Sequence, residues 1–374
     1  MECHASTEHP GARLTGLLQL PDILGRLTGE ARVRADRLLD VRIVRGRTDP
    51  PLEMNAWLER TFGSVEAVRE QTMVKVMNLA TLEATVFAPL RARRPLDLAP
   101  TGGDLAAEIE ATEGGPFCHP ETDTPADVFG RVRGTRVVTG ANAAMAEAHH
   151  GVIVFDRHDP LAFDAELIAD VLTTGRAWAE RARADDSAAG NYFLIWNCLW
   201  RAGGSVVHGH AQVLLGGGPH VARLERLRRD AERYRATAGK DLISDIVAVH
   251  RDLGLVRDIG DVALLAHATP IKEREVLLVG TAGGDERDRS FIDALARTLI
   301  AYRDRIGVRS FNLAVWRPPL GDGGEAWGWL PPIARIVDRG DPFQRSSDIG
   351  AMELYGTPIV ATDPYELLAG LEGL

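Results

Sequence analysis

Positions at three- and four-residue steps are apolar or small through residues 164–183: Leu167, Ile168, Val171, Leu172, Gly175 and Trp178. That period predicts an amphipathic helix, and Asp164 at its start predicts a carboxylate cap for the free N–H groups. Residues 287–305 repeat the pattern with Phe291, Ile292, Leu295, Leu299 and Tyr302. Residues 221–234 read as a charged helix, and residues 64–77 as another. Shorter apolar runs predict strands at residues 84–88, 136–138, 152–155, 191–196, 255–257, 262–266, 275–279 and 311–316. The order strand, strand, helix, strand occurs twice, so the pattern predicts an α+β chain built from antiparallel meanders.

One predicted strand carries unusual side chains. Val206, Val207, Val213, Leu214 and Leu215 flank the run His208-Gly209-His210-Ala211-Gln212. Alternation along a strand puts His208, His210 and Gln212 on one face, with successive members roughly 6–7 Å apart. Gly209 and Ala211 point the other way and let something pack closely behind them. Just upstream, Arg201-Ala202-Gly203-Gly204-Ser205 is a glycine-containing turn whose N–H groups can approach an anion. Two imidazoles and an amide beside such a turn suit phosphoryl chemistry. A neutral imidazole can attack phosphorus and leave again, while an amide holds a phosphate oxygen as charge moves. The bland alternative is a half-buried strand with two satisfied histidines.

Composition narrows the partners. The chain has 374 residues, 45% hydrophobic and 26% charged, as expected of a globular protein of one large or two ordinary domains. A net charge of −10 argues against a nucleic-acid backbone, whereas a nucleotide or sugar phosphate needs only a local basic patch. Cys3, Cys118 and Cys198 are scattered and odd in number, which points to a reducing cytoplasm. No stretch approaches a membrane span, and the N-terminus lacks the pattern of a signal peptide.

The histidine stretch resembles the active-site motif of the galactose-1-phosphate uridylyltransferase branch of the histidine-triad superfamily. Asn197, Gly203, Ser205, His208, His210 and Gln212 fit that motif without a gap. The resemblance implies an α+β, duplicated histidine-triad-like fold: antiparallel sheets with helices packed on one side, and a second copy lacking the histidine motif. It implies His210 as nucleophile, Gln212 steadying a nucleotidyl-histidine, and His208 orienting the site. Asn197 and Ser205, with Gly203 and Gly204, would meet phosphate. Gln212 stands where relatives that transfer nucleotides carry Gln and hydrolytic relatives a third His.

Further segments fit the same family in order. Residues 88–95, Ala-Pro-Leu-Arg-Ala-Arg-Arg-Pro, resemble its S-P-H-R-A-K-R-P segment, which implies phosphate contacts from Arg91 and Arg94 and a solvated Arg93. A plain basic turn is the other reading. Asn142 falls in a loop that in relatives lies over base and ribose. His149 and His150 read as structural or pocket-lining. Asp348 and Glu353 stand in the sugar-contacting segment, as hydroxyl contacts or as capping and solvated groups. Cys118, His158 and His208 match three of the family's four zinc ligands, with Gly115 in place of a cysteine. Either Glu113, His119 or water completes a zinc site, or the site has decayed and Cys118 is an apolar core residue. The family's second metal has lost its ligands, since Trp316 and Ala326-Trp327-Gly328 occupy those places.

The organisation expected is an N-terminal extension of unknown role (1–80), a catalytic half (81–240) and a degenerate half with the acceptor segment (241–374). The activity implied is ping-pong nucleotidyl transfer between a nucleoside diphosphate sugar and a sugar 1-phosphate. A phosphorylase using inorganic phosphate on a nucleotide sugar or dinucleoside polyphosphate is the near alternative. A nucleotide-binding protein without turnover is the distant one. A homodimer is implied, with no nucleic-acid or membrane partner; apart from zinc, no cofactor is expected.

Overall fold

Two sheets organise the chain in a computed structural model that describes residues 16–94, 102–321 and 327–374. The expected tail at 1–12, Cys3, Pro95 and Ala326 lie outside the described residues. In chain order the strands are β1 (Leu39–Arg47), β2 (Glu70–Asn78), β3 (Ala84–Phe87), β4 (Val137–Ala141), β5 (His149–Phe155), β6 (Asn191–Cys198) and β7 (His210–Gly216). They continue with β8 (Val256–Ile259), β9 (Val262–Ala266), β10 (Val276–Val279), β11 (Phe311–Trp316), β12 (Ile333–Asp338) and β13 (Ile359–Val360). Four helices matter here: α1 (Ala165–Asp185), α2 (Ala222–Ala238), α3 (Leu242–Asp252) and α4 (Arg289–Ala301).

The small sheet runs β1-β2-β3-β13. β1 and β2 pair antiparallel from Leu39 opposite Asn78 to Arg47 opposite Glu70. This corrects the helix expected at residues 64–77. Only Val65–Arg69 is helical, capped by Ser64 Oγ, which accepts from Ala67 N–H at 3.2 Å. β2 and β3 pair across residue 80, and β13 adds a parallel edge, so early and late segments of the chain share this sheet.

Among the described residues, nine strands form the large sheet, in the order β4-β5-β7-β6-β11-β12-β10-β9-β8. The later strands β9-β10-β12-β11 repeat the spatial order of β4-β5-β7-β6. The two sets join in one continuous sheet where β6 pairs with β11, Asn197 opposite Asn312.

α1 and α4 touch each other and pack on one face of this sheet. The Asp164 cap forms as expected, accepting from Leu167 N–H at 2.9 Å. Trp178 of α1 is fully buried, and a Cβ on Gly151 would lie 2.7 Å from its ring, so β5 carries glycine where the indole crosses it. The β2–β3 turn of the small sheet and α2 reach β12 of the large sheet through Glu83. There Arg335 of β12 meets Glu83 at 3.2 Å, and Arg223 also pairs with Glu83. Burial opposes the charge on Glu83, but Arg335, His267 and Arg223 hold its carboxyl down at about 2. The face away from α1 carries the histidines in its first half. No helix among the described residues is long and apolar enough to cross a membrane.

Candidate active site

The histidine strand is shorter than its alternation suggests. β7 begins at His210, so His208 lies in the turn before it rather than in the same row. The ladder ends at Gly209, which keeps its bond to Phe155 directly opposite on β5 but turns its own N–H away from that strand register. Its N–H donates to His158 carbonyl at 3.0 Å and its carbonyl accepts from Phe155 N–H at 2.9 Å. A Cβ there would sit 2.6 Å from the Phe155 ring and 2.9 Å from the Arg157 carbonyl, so only glycine lets the two segments close. His208 is thereby turned toward His158, ring centroids 5.2 Å apart. From His210 onward the alternation holds. His210 opposes Val154 and Gln212 opposes Val152 and Ile195, all on the face away from α1, whereas Ala211, Val213 and Leu215 point the other way.

His210 is nineteen-twentieths buried, with its ring edge-on to Phe117 at 4.9 Å. Its Nδ1–H donates to the His208 carbonyl at 2.8 Å, since a carbonyl only accepts. Nε2 therefore holds the lone pair. Among the described residues it makes no hydrogen bond, and it is not sealed from solvent. Burial lowers the imidazole's pKa, so the ring is neutral at pH 7. Burial also lowers that of His208, helped by the neighbouring His158 and His210.

The turn before the strand is tight. Leu199 adopts φ +68° and ψ 169°, a region all but reserved for glycine that costs about 1–3 kcal/mol. Gly203 has φ +91°, and a Cβ on Gly204 would lie 2.8 Å from the Asn197 carbonyl. Past this knot, the N–H groups of Ser205, Val206, Val207 and His208 donate to no acceptor among the described residues. Consecutive N–H groups without a protein acceptor are able to hold an anion. Ser205 itself is exposed.

Cys118, His158 and His208 converge, with one ligand atom from each lying within 4.8 Å of the others. In both imidazoles a backbone carbonyl takes the proton and leaves one nitrogen with its lone pair. His158 Nε2–H donates to the Ile109 carbonyl at 2.8 Å, leaving Nδ1 facing Cys118 Sγ at 3.4 Å. His208 Nδ1–H donates to the Gly209 carbonyl at 3.0 Å, leaving Nε2. Carbonyls that orient ligating imidazoles in this way are the usual second layer of a metal site. The donor set fits zinc with three protein ligands; neither Glu113 nor His119 joins it among the described residues.

The other expected contacts lie apart from His210. Arg91, Arg94, Asp348 and Glu353 line one cleft of about 1050 Å³ that His210, Gln212, Asn197 and Ser205 do not line. Arg93 donates to the Phe62 carbonyl at 2.9 Å. Asp348 is clasped by Arg339 at 2.8 and 2.9 Å and by Lys272, and Glu353 caps Gly350 N–H at 2.8 Å. Those partners outweigh burial and lower both carboxyl pKa values. Asn142 Oδ1 accepts from Ala144 N–H at 2.9 Å, and its side chain lies beside His150.

No protein-family model and no curated protein matches this chain in sequence. Solved structures match it in shape. An ADP-glucose phosphorylase from Arabidopsis thaliana with bound ADP-glucose superposes at a TM-score of 0.61 and 15% identity, covering 79% of this chain and 97% of that one. A galt-like protein from the same plant gives 0.57 at 16% identity, covering 70% and 93%. A uridylyltransferase gives 0.54 at 16% identity, covering 75% and 92%. This chain has the uridylyltransferase fold.

Within that fold, Asn312 and Arg339, which the sequence did not single out, and His150, which it did, reach the site residues. Asn312 Nδ2 donates to Asn197 Oδ1 at 2.7 Å, Arg339 Nη1 donates to Asn312 Oδ1 at 2.5 Å, and His150 contacts Gln212 at 3.0 Å. His150 had been read as structural or pocket-lining. The sequence signal for Asn312 is a polar residue within an apolar strand, and Arg339, just past β12, carries none.

Proposed function

We propose that this protein is a nucleotidyltransferase acting on a nucleoside diphosphate sugar through a covalent nucleotidyl-histidine. His210 Nε2 attacks the α-phosphorus. The bond from that phosphorus to the bridging oxygen breaks, and sugar 1-phosphate leaves with the electron pair. An oxygen of the acceptor phosphate then attacks, the P–N bond breaks, and neutral His210 is restored. The free N–H groups of residues 205–208 and the Gln212 amide offset charge on the phosphoryl oxygens. Arg91 and Arg94 serve the anionic ligand from the neighbouring cleft.

The observation that carries this reading is the His210 tautomer. Its proton is spent on a backbone carbonyl, and its other nitrogen is left as a neutral nucleophile. The phosphorylase named among the structural matches supports the donor class.

The acceptor is a sugar 1-phosphate or inorganic phosphate. The engagement of Asp348 and Glu353 with their own neighbours favours phosphate, since neither carboxylate is left to read sugar hydroxyls. Cys118, His158 and His208 would hold zinc as a structural ion. When bound, it would fix the turn that delivers His210, and no step passes through it. A homodimer in the cytoplasm completes the proposal, the free thiols of Cys118 and Cys198 fitting a reducing compartment.

The test is intact-mass measurement after incubation with a panel of nucleotide sugars and dinucleoside polyphosphates, followed by a chase. A nucleoside monophosphate adduct names the base. Its discharge by phosphate or by sugar 1-phosphate names the acceptor. Absence of any adduct across the panel overturns the proposal.

A further inference from the structure

The amide of Gln212 can face the phosphoryl group with either its oxygen or its nitrogen, and only the nitrogen helps. A phosphoryl oxygen is negative, so an amide oxygen turned toward it repels. Which way the amide lies is fixed by a chain of hydrogen bonds that starts at the backbone. Ala146 N–H donates to His150 Nδ1 at 3.1 Å. A backbone N–H can only donate, so Nδ1 carries the lone pair and Nε2 carries the proton. That proton has an acceptor in Gln212 Oε1 at 3.0 Å. The nitrogen of Asn142, 3.2 Å away, cannot serve: its own oxygen is held by Ala144 N–H, so it presents a donor to a donor.

Register makes the contact possible. Gln212 opposes Val152 on β5, and His150 stands two residues from Val152 on the same face. His150 is buried, so its donor is sheltered from competing water. With Oε1 engaged, the Gln212 NH₂ group is the free end of the side chain, on the face that carries His210, and it has no acceptor among the described residues.

We propose that His150 is a positioning residue that locks the Gln212 amide with its NH₂ group toward the phosphorus joined to His210. The inference rests on the transferase reading. His150 touches neither substrate nor reacting atoms; it acts through Gln212. Without it the amide is free to turn, and part of an oxyanion-type contact is lost. Removing such a donor outright costs about 10²–10³ in rate, so freeing it to turn costs on the order of tenfold.

The experiment follows single-turnover labelling of His210 by a saturating nucleotide sugar, read by intact mass. His150→Phe keeps the ring shape but removes the donor, and labelling is expected to slow about tenfold. His150→Gln places an amide N–H near the position of Nε2 and is expected to restore most of the rate. In a Gln212→Ala background, His150→Phe is expected to add nothing, because the group it orients is gone. Equal labelling by wild type and His150→Phe overturns the inference while leaving the transferase reading intact. So does a full additional loss in the Gln212→Ala background, which would mark His150 as a prop for the fold. No adduct on wild type overturns the transferase reading, and this inference with it.

Discussion

Asn312 Nδ2 donates to Asn197 Oδ1 at 2.7 Å across the seam between β6 and β11. The direction is not ambiguous. Asn312 also donates to the Ala202 carbonyl at 2.8 Å and accepts from Arg339, so its nitrogen and oxygen are assigned by groups that cannot reverse. Asn197 therefore offers its own NH₂ group outward, as Gln212 does. A strand from the second half of the chain thus orients the Asn197 amide in the first, the amide proposed to meet phosphate. Asn312→Asp keeps the shape and loses the donor. It is expected to lower kcat/KM about tenfold, or ~1.4 kcal/mol of transition-state stabilisation. A wild-type-like melting temperature would separate this from unfolding, and unchanged kcat/KM would refute the link.

The tautomers of His158 and His208 predict a bound metal. Protein purified without chelator is expected to contain about one zinc per chain by elemental analysis. Chelation, or Cys118→Ser, is expected to lower the melting temperature by several degrees, because a metal that binds only the folded state stabilises it. Metal-free protein with an unchanged melting temperature on adding zinc would refute the site.

Several histidines are held neutral, and the consequence for stability has a definite sign. Burial pushes His250 down to about 3 and His220 to about 4, and lowers His210 as well. Each takes up a proton in the unfolded chain at about 6.5. Stability is therefore fully present above pH 6.5 and is lost as pH falls from there toward 4 and then 3. Denaturant titrations at pH 7, 5.5 and 4.5 should show the midpoint falling. Covalent labelling should decline over the same acid range, since protonated His210 is no nucleophile, and should stay flat from pH 7 to 8.

Gly209 holds the turn that separates the two histidines. Gly209→Ala places a methyl against the Phe155 ring and the Arg157 backbone, which cannot yield as a flexible side chain would. A loss of about 1–3 kcal/mol is expected, with labelling of His210 falling further than stability accounts for. Chemical denaturation and labelling rate on the same samples test this; wild-type values in both would contradict it.

Much of this was legible from residue pattern alone. The 3.6 period of α1, the cap at Asp164 and the placement of β11 needed only local chemistry. Alternation correctly put His210 and Gln212 on one face. It misplaced His208, because nothing local announces that Gly209, still bonded to Phe155 opposite it, turns its own N–H to the His158 carbonyl. Residues 70–77 looked helical because their partner, β1, lies far back in the chain, and pairing over nine residues overrides propensity. The contact of His150 with Gln212, and the parts played by Asn312 and Arg339, escape a linear reading for a related reason. Each acts by donating to a residue on another strand, and register between strands is what a linear reading does not contain.

The decisive measurement is peptide mapping of protein trapped with a labelled nucleotide sugar, beside His210→Asn and His210→Gly. The expectation is a nucleotidyl adduct on His210 of the wild type, none on either variant, and turnover lost by several orders of magnitude. An adduct on another residue, or near-normal turnover in either variant, would contradict it.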